Sequence, residues 1–169
     1  MKKEYGKALR DYFVKQMGEK FSDFQPYAVK TIYLAPGEKA FYRELSNGIW
    51  QFVILSPNAQ GHESFTIEMG WSNQQRFPEI GMRPNYDPRT GSQPSEQELI
   101  LRLPHIYGGE EFWVIEDNAN PFDFLGAGLK RQMQKITAEE ARAKVNPLLD
   151  GALEKLSAVG LPYLNEYTQ

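Results

Sequence analysis

The sequence predicts a single α+β domain, residues 1–169, in which an antiparallel meander sheet of five or six strands carries N- and C-terminal helices on one face. Two observations support this prediction. Strand patterns follow one another between residues 28 and 115, and helical patterns occupy both ends of the chain. One run of strands between helical ends is typical of the α+β class. The first four strands are joined by short connections, which indicates antiparallel pairing.

The first element is an amphipathic helix predicted over residues 4–18. Its apolar residues recur at spacings of three and four, which is the helical period, and they form one stripe. The stripe consists of Tyr5, Ala8, Leu9, Tyr12, Phe13 and Met17. Gly18 lies where a helix stop is expected, and Pro26 separates the helix from the sheet.

Four strands are predicted over residues 28–34, 40–45, 49–56 and 63–71. Asn47-Gly48, between the second and third strands, is typical of a type I′ hairpin turn. The third strand is apolar on both faces, so we expect it to be covered on both sides. In the fourth strand, strict alternation predicts that one set of residues faces the helices. These residues are Phe65, Ile67, Met69 and Trp71.

A long polar, Pro-rich loop is predicted over residues 72–98. Loops longer than about 15 residues are uncommon in compact domains and often have a function. Two further strands are predicted beyond it, at residues 99–103, ended by Pro104, and at residues 111–115.

The C-terminal helix is predicted to begin at Thr137, because Thr137-Ala138-Glu139-Glu140 matches a capping box. Pro147 is expected to kink the helix or to split it in two, since proline lacks the N–H that the helix needs. Gly160, followed by Pro162, predicts the end of the helix.

The composition excludes several classes of function. The chain has no Cys, which excludes a disulfide framework, a thiolate zinc site and a Cys nucleophile. No apolar run is longer than four residues, as at residues 52–55, which is far shorter than the roughly 20 residues of a membrane helix. The N-terminus lacks the apolar core of a signal peptide. We therefore expect a cytoplasmic protein that does not bind a membrane.

The charge is distributed unevenly. Residues 61–123 carry four Lys or Arg against eleven Asp or Glu, whereas the whole chain has a net charge of −3. An acidic segment disfavours nucleic acid, which needs clustered cations, and suits a basic protein partner. The alternative is an ordinary solvated acidic surface, which charge runs usually form.

The sequence predicts no catalytic residue, no metal site and no cofactor. His62 shares strand parity with Ser64, Thr66 and Glu68, so all four side chains are expected to point away from the core, with His62 at the surface. His105 is expected to be a surface or capping residue. The two histidines lack the spacing of zinc ligands.

Two loop segments resemble ligand motifs only in part. The stretch from Asp117 to Asp123 is rich in side-chain oxygens but fails the EF-hand pattern, so an Asx-turn region is expected. Gly126-Ala127-Gly128 followed by Lys130 and Arg131 lacks the third glycine and the ending of a phosphate loop. It is interpreted as a flexible turn, with phosphate binding as a minor alternative.

The order of these elements resembles a bacterial domain-of-unknown-function family, number 4304 of the DUF series, which includes proposed immunity proteins. The resemblance rests on the N-terminal helix, Ile49-Trp50-Gln51-Phe52, the alternation from Phe65 to Trp71, Leu101-Arg102-Leu103, Phe112-Trp113 and the closing Leu161-Pro162-Tyr163-Leu164. It implies an immunity-like role and supplies no catalytic residues. The Pro-rich segment at 72–98 departs from the family's usual pattern.

The first functional hypothesis is a non-enzymatic protein-binding domain that recognises a basic partner through an acidic face containing aromatic residues. The candidate residues are Phe77, Tyr86, Glu110, Glu111, Glu116, Asp117 and Asp123. The alternative is a small-molecule-binding domain, with its pocket between sheet and helices or under the 72–98 loop. An enzyme is the third hypothesis and has the least support.

Overall fold

An antiparallel six-stranded sheet forms the middle layer of the protein, and helices from both ends of the chain pack on one of its faces. This computed structural model describes residues 1–58, 60, 62–116 and 135–168. The predicted α+β class and the predicted placement of the helices are confirmed.

The elements follow the chain in a simple order. The helices are α1 (Lys3–Lys20), α2 (Leu103–Tyr107), α3 (Ala138–Lys155) and α4 (Leu161–Thr168), with a π-helical turn at Leu156–Gly160 and a 3₁₀ turn at Pro88–Thr90. The strands are β1 (Gln25–Pro26), β2 (Lys39–Glu44), β3 (Trp50–Pro57), β4 (Glu63–Ser72), β5 (Glu98–Arg102) and β6 (Trp113–Glu116).

Strand β4 is the longest strand and organises the sheet. The strand order is β1-β2-β3-β4-β5, and β6 also pairs with β4. β5 pairs with β4 from Glu68 to Ser72, and β6 pairs with β4 from Glu63 to Phe65. The two short strands therefore share one edge of β4, and α2 connects them at this edge.

The helix-facing side of the sheet carries the main core. Phe65, Ile67, Met69 and Trp71 are at most 2% exposed and belong to this core, as their alternation predicts. The helices contribute a matching set that includes Leu9, Phe13, Val145, Leu149 and Leu153. Burial of large apolar side chains from both layers stabilises this arrangement, at roughly 1.5–3 kcal/mol for each side chain.

The opposite side of the sheet carries a second, smaller core that loops cover. Phe52 and Ile54 of β3 are fully buried there together with Ile100 and Phe77. The Phe77 ring lies edge-on to Phe52, with ring centroids 5.2 Å apart. β3 is thus covered on both sides, as its apolar pattern predicts.

The predicted strand at 28–34 is wrong. Only Gln25 and Pro26 pair with β2, and the chain then leaves the sheet as a loop. Tyr33 packs on the second core, whereas Val29 is 64% exposed and Ile32 is 90% exposed. The apolar residues of this segment are divided between a loop contact and water, so their pattern does not reflect a strand face.

The C-terminal helix also departs from the prediction. Pro147 lies inside a continuous α3 and does not split it. Pro147 and Ala143, whose carbonyl loses its helical partner, are both exposed, so water can hydrate that carbonyl. Gly160 does not end the helix either. A Cβ on Gly160 would lie 2.9 Å from Leu103 and 3.0 Å from Met69, so the glycine permits close packing.

A buried carboxylate fixes the start of α1. Both oxygens of Glu63 accept hydrogen bonds from the Lys2 backbone N–H, at 3.0 and 2.9 Å. A carboxylate at a helix N-terminus is favoured by the helix dipole. The Lys2 ammonium then reaches Glu116 of β6 at 2.8 Å. These bonds hold the first turn of α1 against the β4–β6 edge.

We expect Ile67→Ala to lower the free energy of unfolding by about 2–5 kcal/mol, because it leaves a cavity in the main core. Ile32→Ala is the matched control, since that isoleucine is 90% exposed. Urea unfolding of both variants measures the difference. Equal, small losses would contradict the assignment of Ile67 to the core.

Thr137 caps α3. Its Oγ1 accepts from the Glu140 N–H at 3.2 Å, and Glu140 Oε2 accepts from the Thr137 N–H at 2.7 Å, which confirms the capping box. Thr137→Ala should therefore cost about 0.5–2 kcal/mol in thermal or urea unfolding. Thr137→Ser keeps the hydroxyl and should retain most of the stability. If Ala and Ser behave alike, the cap does not stabilise the helix.

Candidate functional site

A polar cleft of about 820 Å³ lies on the loop-covered side of the sheet, between the first turns of α1 and the loops at 32–38 and 80–83. We call it the sheet-face cleft. Its floor is formed by strand residues that include Ser56, Thr66, Glu68 and Arg102, and Glu38 and Arg83 enter from the loops.

The register of the strands brings the floor residues together. Ser56 of β3 lies opposite Thr66 of β4, and Glu68 lies between Ile54 of β3 and Arg102 of β5. Cross-strand partners in an antiparallel sheet point to the same face. The Glu68 and Arg102 side chains are therefore neighbours on the cleft side.

The side chains of Ser64, Thr66 and Glu68 point away from the main core, as predicted, and His62 is exposed, as predicted. However, Ser64, Thr66 and Glu68 are only 4%, 1% and 3% exposed. They face a second covered layer, because the loops at 27–38 and 72–86 lie over this side of the sheet.

Arg83 joins two buried carboxylates. Its Nη2 donates to both oxygens of Glu38 at 2.5 Å, and its Nε lies 3.5 Å from Glu68 Oε2. The three side chains are at most 9% exposed. Glu38 also accepts from Ser56 Oγ at 2.9 Å and from the Ala35 N–H at 2.7 Å. Glu38 is thus fully engaged, whereas Glu68 is not.

Burial raises the pKa of Glu68, and Arg83 and Arg102 oppose that rise. Arg102 is itself shared, because its guanidinium also pairs with Glu111 at the rim and lies 5.1 Å from the centroid of the Phe112 ring. Positive and negative groups therefore alternate from Glu38 to Glu111. This row of groups contains one more carboxylate than guanidinium groups. It therefore carries a net negative charge when all of them are ionised.

Four buried polar atoms of this cleft have no hydrogen-bond partner among the described residues. They are Thr66 Oγ1, Glu68 Oε2, Arg83 Nη1 and Arg102 Nε. An unsatisfied buried donor or acceptor costs about 1–3 kcal/mol, so native proteins rarely keep one without a reason. These four atoms therefore need partners that the described residues do not supply, either ordered water or a bound molecule.

A second polar cluster adjoins the cleft. His105 is 4% exposed, so its predicted surface position is wrong. Arg89 Nη2 lies 3.1 Å from Nε2 of His105, and Asp87 Oδ2 lies 3.4 Å from Nδ1. Arginine only donates, so Nε2 accepts and the proton is on Nδ1, towards Asp87. Burial lowers the pKa of His105, and the Arg89 hydrogen bond lowers the pKa of Asp87 to about 2. The cluster fastens the loop at 85–92 to α2.

The aromatic residues proposed as partner anchors have structural roles. Phe77 is 2% exposed in the second core, so its ring is not available as a partner anchor. The Tyr86 ring packs against the main core, and its hydroxyl donates to the Ser92 carbonyl at 3.1 Å. The proline-rich segment thus uses both residues to attach itself to the sheet.

The proposed acidic residues do not form one free surface. Glu116 accepts from Lys2 at 2.8 Å and from Lys144 at 3.2 Å, and the Lys2 hydrogen bond is the main cause of its lowered pKa. Glu111 pairs with Arg102, and Glu110 is exposed. Asp117 and Asp123 lie outside the described residues. The oxygen-rich stretch at 117–123 and the glycine-rich segment at 126–131 lie there too.

Glu38 and Arg83 were not predicted as site residues, because they lie in two separate loops and no local sequence pattern indicates that they meet. A signal for Glu68 was present. The third strand is apolar on both faces, so its neighbour must also be covered on both faces. A carboxylate at an even position of β4 is then buried and requires partners.

Comparison with models of known families, with curated proteins and with solved structures finds no match. The resemblance to the domain-of-unknown-function family therefore stays a prediction. Within residues 1–58, 60, 62–116 and 135–168, no three acidic or histidine side chains are grouped to hold a metal ion. No helix in the same part of the chain is long and apolar enough to span a membrane.

Glu68→Gln is expected to change how stability depends on pH. The folded-state pKa of Glu68 lies above its ordinary value of 4.5. Glu68 therefore favours folding most below pH 4.5, and stability declines as the pH rises from there through the folded-state pKa. Because glutamine stays neutral at every pH, the stability of the variant relative to the wild type should increase over this pH range. Urea unfolding at several pH values tests this, and a constant difference between the proteins would contradict it.

Glu68→Ala is the companion variant. It removes the carboxylate that lies between Arg83 and Arg102, and should cost about 3–5 kcal/mol, as for other broken buried ion pairs. A loss as small as that of a surface substitution would show that the two arginines do not need Glu68.

Proposed function

We propose that this protein is a binding domain for a small polar molecule, which it takes up in the sheet-face cleft. The observation that supports this proposal best is the set of four buried polar atoms without partners among the described residues. The volume of about 820 Å³ falls within the usual range for ligand sites, roughly 300–1,000 Å³.

The position of the cleft favours one of the two pocket locations that the sequence suggested. It lies beneath Ile80, Gly81 and Arg83 of the long Pro-rich segment, on the loop-covered face of the sheet, and the N-terminal turns of α1 close one side of it. That segment is attached by the buried Phe77 ring on one side and by Tyr86 on the other. A loop held in this way supplies a fixed wall for a ligand.

Recognition of a basic protein, with an immunity-like role, remains the competing hypothesis. Its support is the acidic balance of residues 61–123 and the exposed Glu110. Glu111 and Glu116 contribute less than expected, because each is already paired with a cation of the same chain. The structure therefore gives more support to ligand binding in the cleft than to recognition of a basic protein.

A cleft-filling substitution tests the proposal. Gly81 is exposed, lines the cleft and has no atom within 4 Å of an added Cβ, so Gly81→Phe should narrow the mouth without disturbing the fold. Gly18→Phe is the matched control, on an equally open glycine of α1 away from the cleft.

The wild type is first screened against mixtures of neutral, cationic and anionic polar metabolites by ligand-observed NMR. Binding should shift the backbone amides of Ser56, Thr66 and Glu38. Gly81→Phe should weaken the binding of each hit by about tenfold or more, equal to about 1.4 kcal/mol, and Gly18→Phe should leave it unchanged. The absence of hits, or hits that Gly81→Phe does not weaken, would refute the proposal.

A further inference from the structure

Arg10 is a cation at the wall of the sheet-face cleft. Its guanidinium occupies the gap between α1 and the loop before β2. A Cβ on Gly6 would lie 3.2 Å from Arg10 Nη1, and a Cβ on Gly37 would lie 3.9 Å from it. Gly37 is next to Glu38, which binds Arg83. Among the described residues, no acid lies within 4.0 Å of Arg10 as an ion-pair partner, although Arg83 and Arg102 both have one.

The unsatisfied atoms of the floor restrict the chemistry of the ligand. Arg83 Nη1 and Arg102 Nε are buried N–H groups without an acceptor. A guanidinium carries donors only and does not lose its proton in proteins, so both atoms require an acceptor. Oxygen anions give the shortest and strongest hydrogen bonds to such groups.

The charges of the residues that line the cleft also favour an anionic ligand. The described residues that line the cleft include the cations Lys2, Lys3, Arg10, Arg83 and Arg102, and the anions Glu38, Glu68 and Glu111. Glu38 and Glu111 are each bound to an arginine of the cleft, and Lys2 is bound to Glu116. Arg10 therefore contributes positive charge that no described acid neutralises.

We propose that the ligand is a small oxyanion, with a carboxylate or a phosphate group that lies between Arg10, Arg83 and Arg102. This inference rests on the proposed function of the cleft and names its ligand class. The Glu68 carboxyl and the Thr66 hydroxyl, both unsatisfied and both on β4, bind the hydroxyl or other polar groups that accompany the anion.

Glu68 couples this binding to protons. The charged groups that face it are Arg83 and Glu38 from the loops and Arg102 from β5, while β3 presents only Ile54. A bound anion adds negative charge beside a carboxyl that burial already disposes to be neutral. Binding therefore favours protonated Glu68, and the anion binds more tightly as the pH falls towards the ordinary range of a glutamate.

The test is an amide-detected NMR titration of the whole chain at constant ionic strength, with inorganic phosphate in one arm and glycolate in the other. The two arms distinguish phosphate from carboxylate chemistry. Arg10→Gln should weaken binding of the preferred anion about fivefold or more. Lys7→Gln makes the same charge change on the same helix, outside the lining of this cleft, and should leave the affinity within about twofold.

The Glu68→Gln variant tests whether the Glu68 carboxyl is the group that makes anion binding depend on pH. In the glycolate arm, over the pH range in which glycolate stays ionised, this variant should bind with an affinity that no longer depends on pH, while the wild type binds more weakly as the pH rises. Equal weakening by Arg10→Gln and Lys7→Gln would overturn the inference, since only the net charge would then matter.

Two further outcomes distinguish a failure of the proposed ligand class from a failure of the proposed binding function. If neutral or cationic compounds from the metabolite screen bind in the cleft and both anions leave its amides unshifted, the ligand class is wrong and the binding function stands. If neither the screen nor the anions shift the cleft amides, both proposals fail, and ordered water is what completes the unsatisfied groups.

Discussion

Every residue of β4, from Glu63 to Ser72, is buried, and the rest of the fold follows from this constraint. Successive side chains of a strand point to opposite faces, so a strand that is buried throughout needs cover on both sides. α1 and α3 cover one face, where the odd-numbered residues of β4 join the main core. The loops before β2 and after β4 cover the other face. These two long connections are therefore part of the architecture and not surface insertions.

The loop-covered face differs from the helix-covered face because half of it is polar. Near β3 and the C-terminal half of β4 it is filled by Phe52, Ile100 and Phe77. Towards the other end of β4 it holds Thr66 and Glu68, which require partners. Arg83 supplies one from the loop, but buried ion pairs recover little of the free energy that desolvation costs. Replacement of the whole ionic group by apolar residues of similar volume would often stabilise the fold as well, so stability alone does not account for these charges.

Arg102 connects the sheet-face cleft to the His105 cluster. It lies beside Glu68 on one side and pairs with Glu111 on the other, and Glu111 Oε1 is 3.7 Å from His105 Nε2. The loop at 85–92 is held to α2 through Asp87 and Arg89 of the same cluster. The charge of Arg102 therefore acts both on Glu68 in the cleft and on His105 in the neighbouring cluster.

The sequence by itself determined the elements whose signals are local. The capping box at Thr137 and the alternation from Phe65 to Trp71 each depend on residues close in the chain, and both are present as predicted. A hairpin turn is also present between β2 and β3, but only Gly48 has a positive φ there, of 82°, so the predicted type I′ geometry at Asn47-Gly48 is wrong. Tertiary structure alone decided the cleft. Glu38, Glu68 and Arg83 come from separate segments, and their contact depends on strand register and on loops folding over the sheet. Tertiary structure also explains the loop at 28–34 and the uninterrupted helix through Pro147. In both places packing and solvent access outweigh the local conformational preference of the sequence.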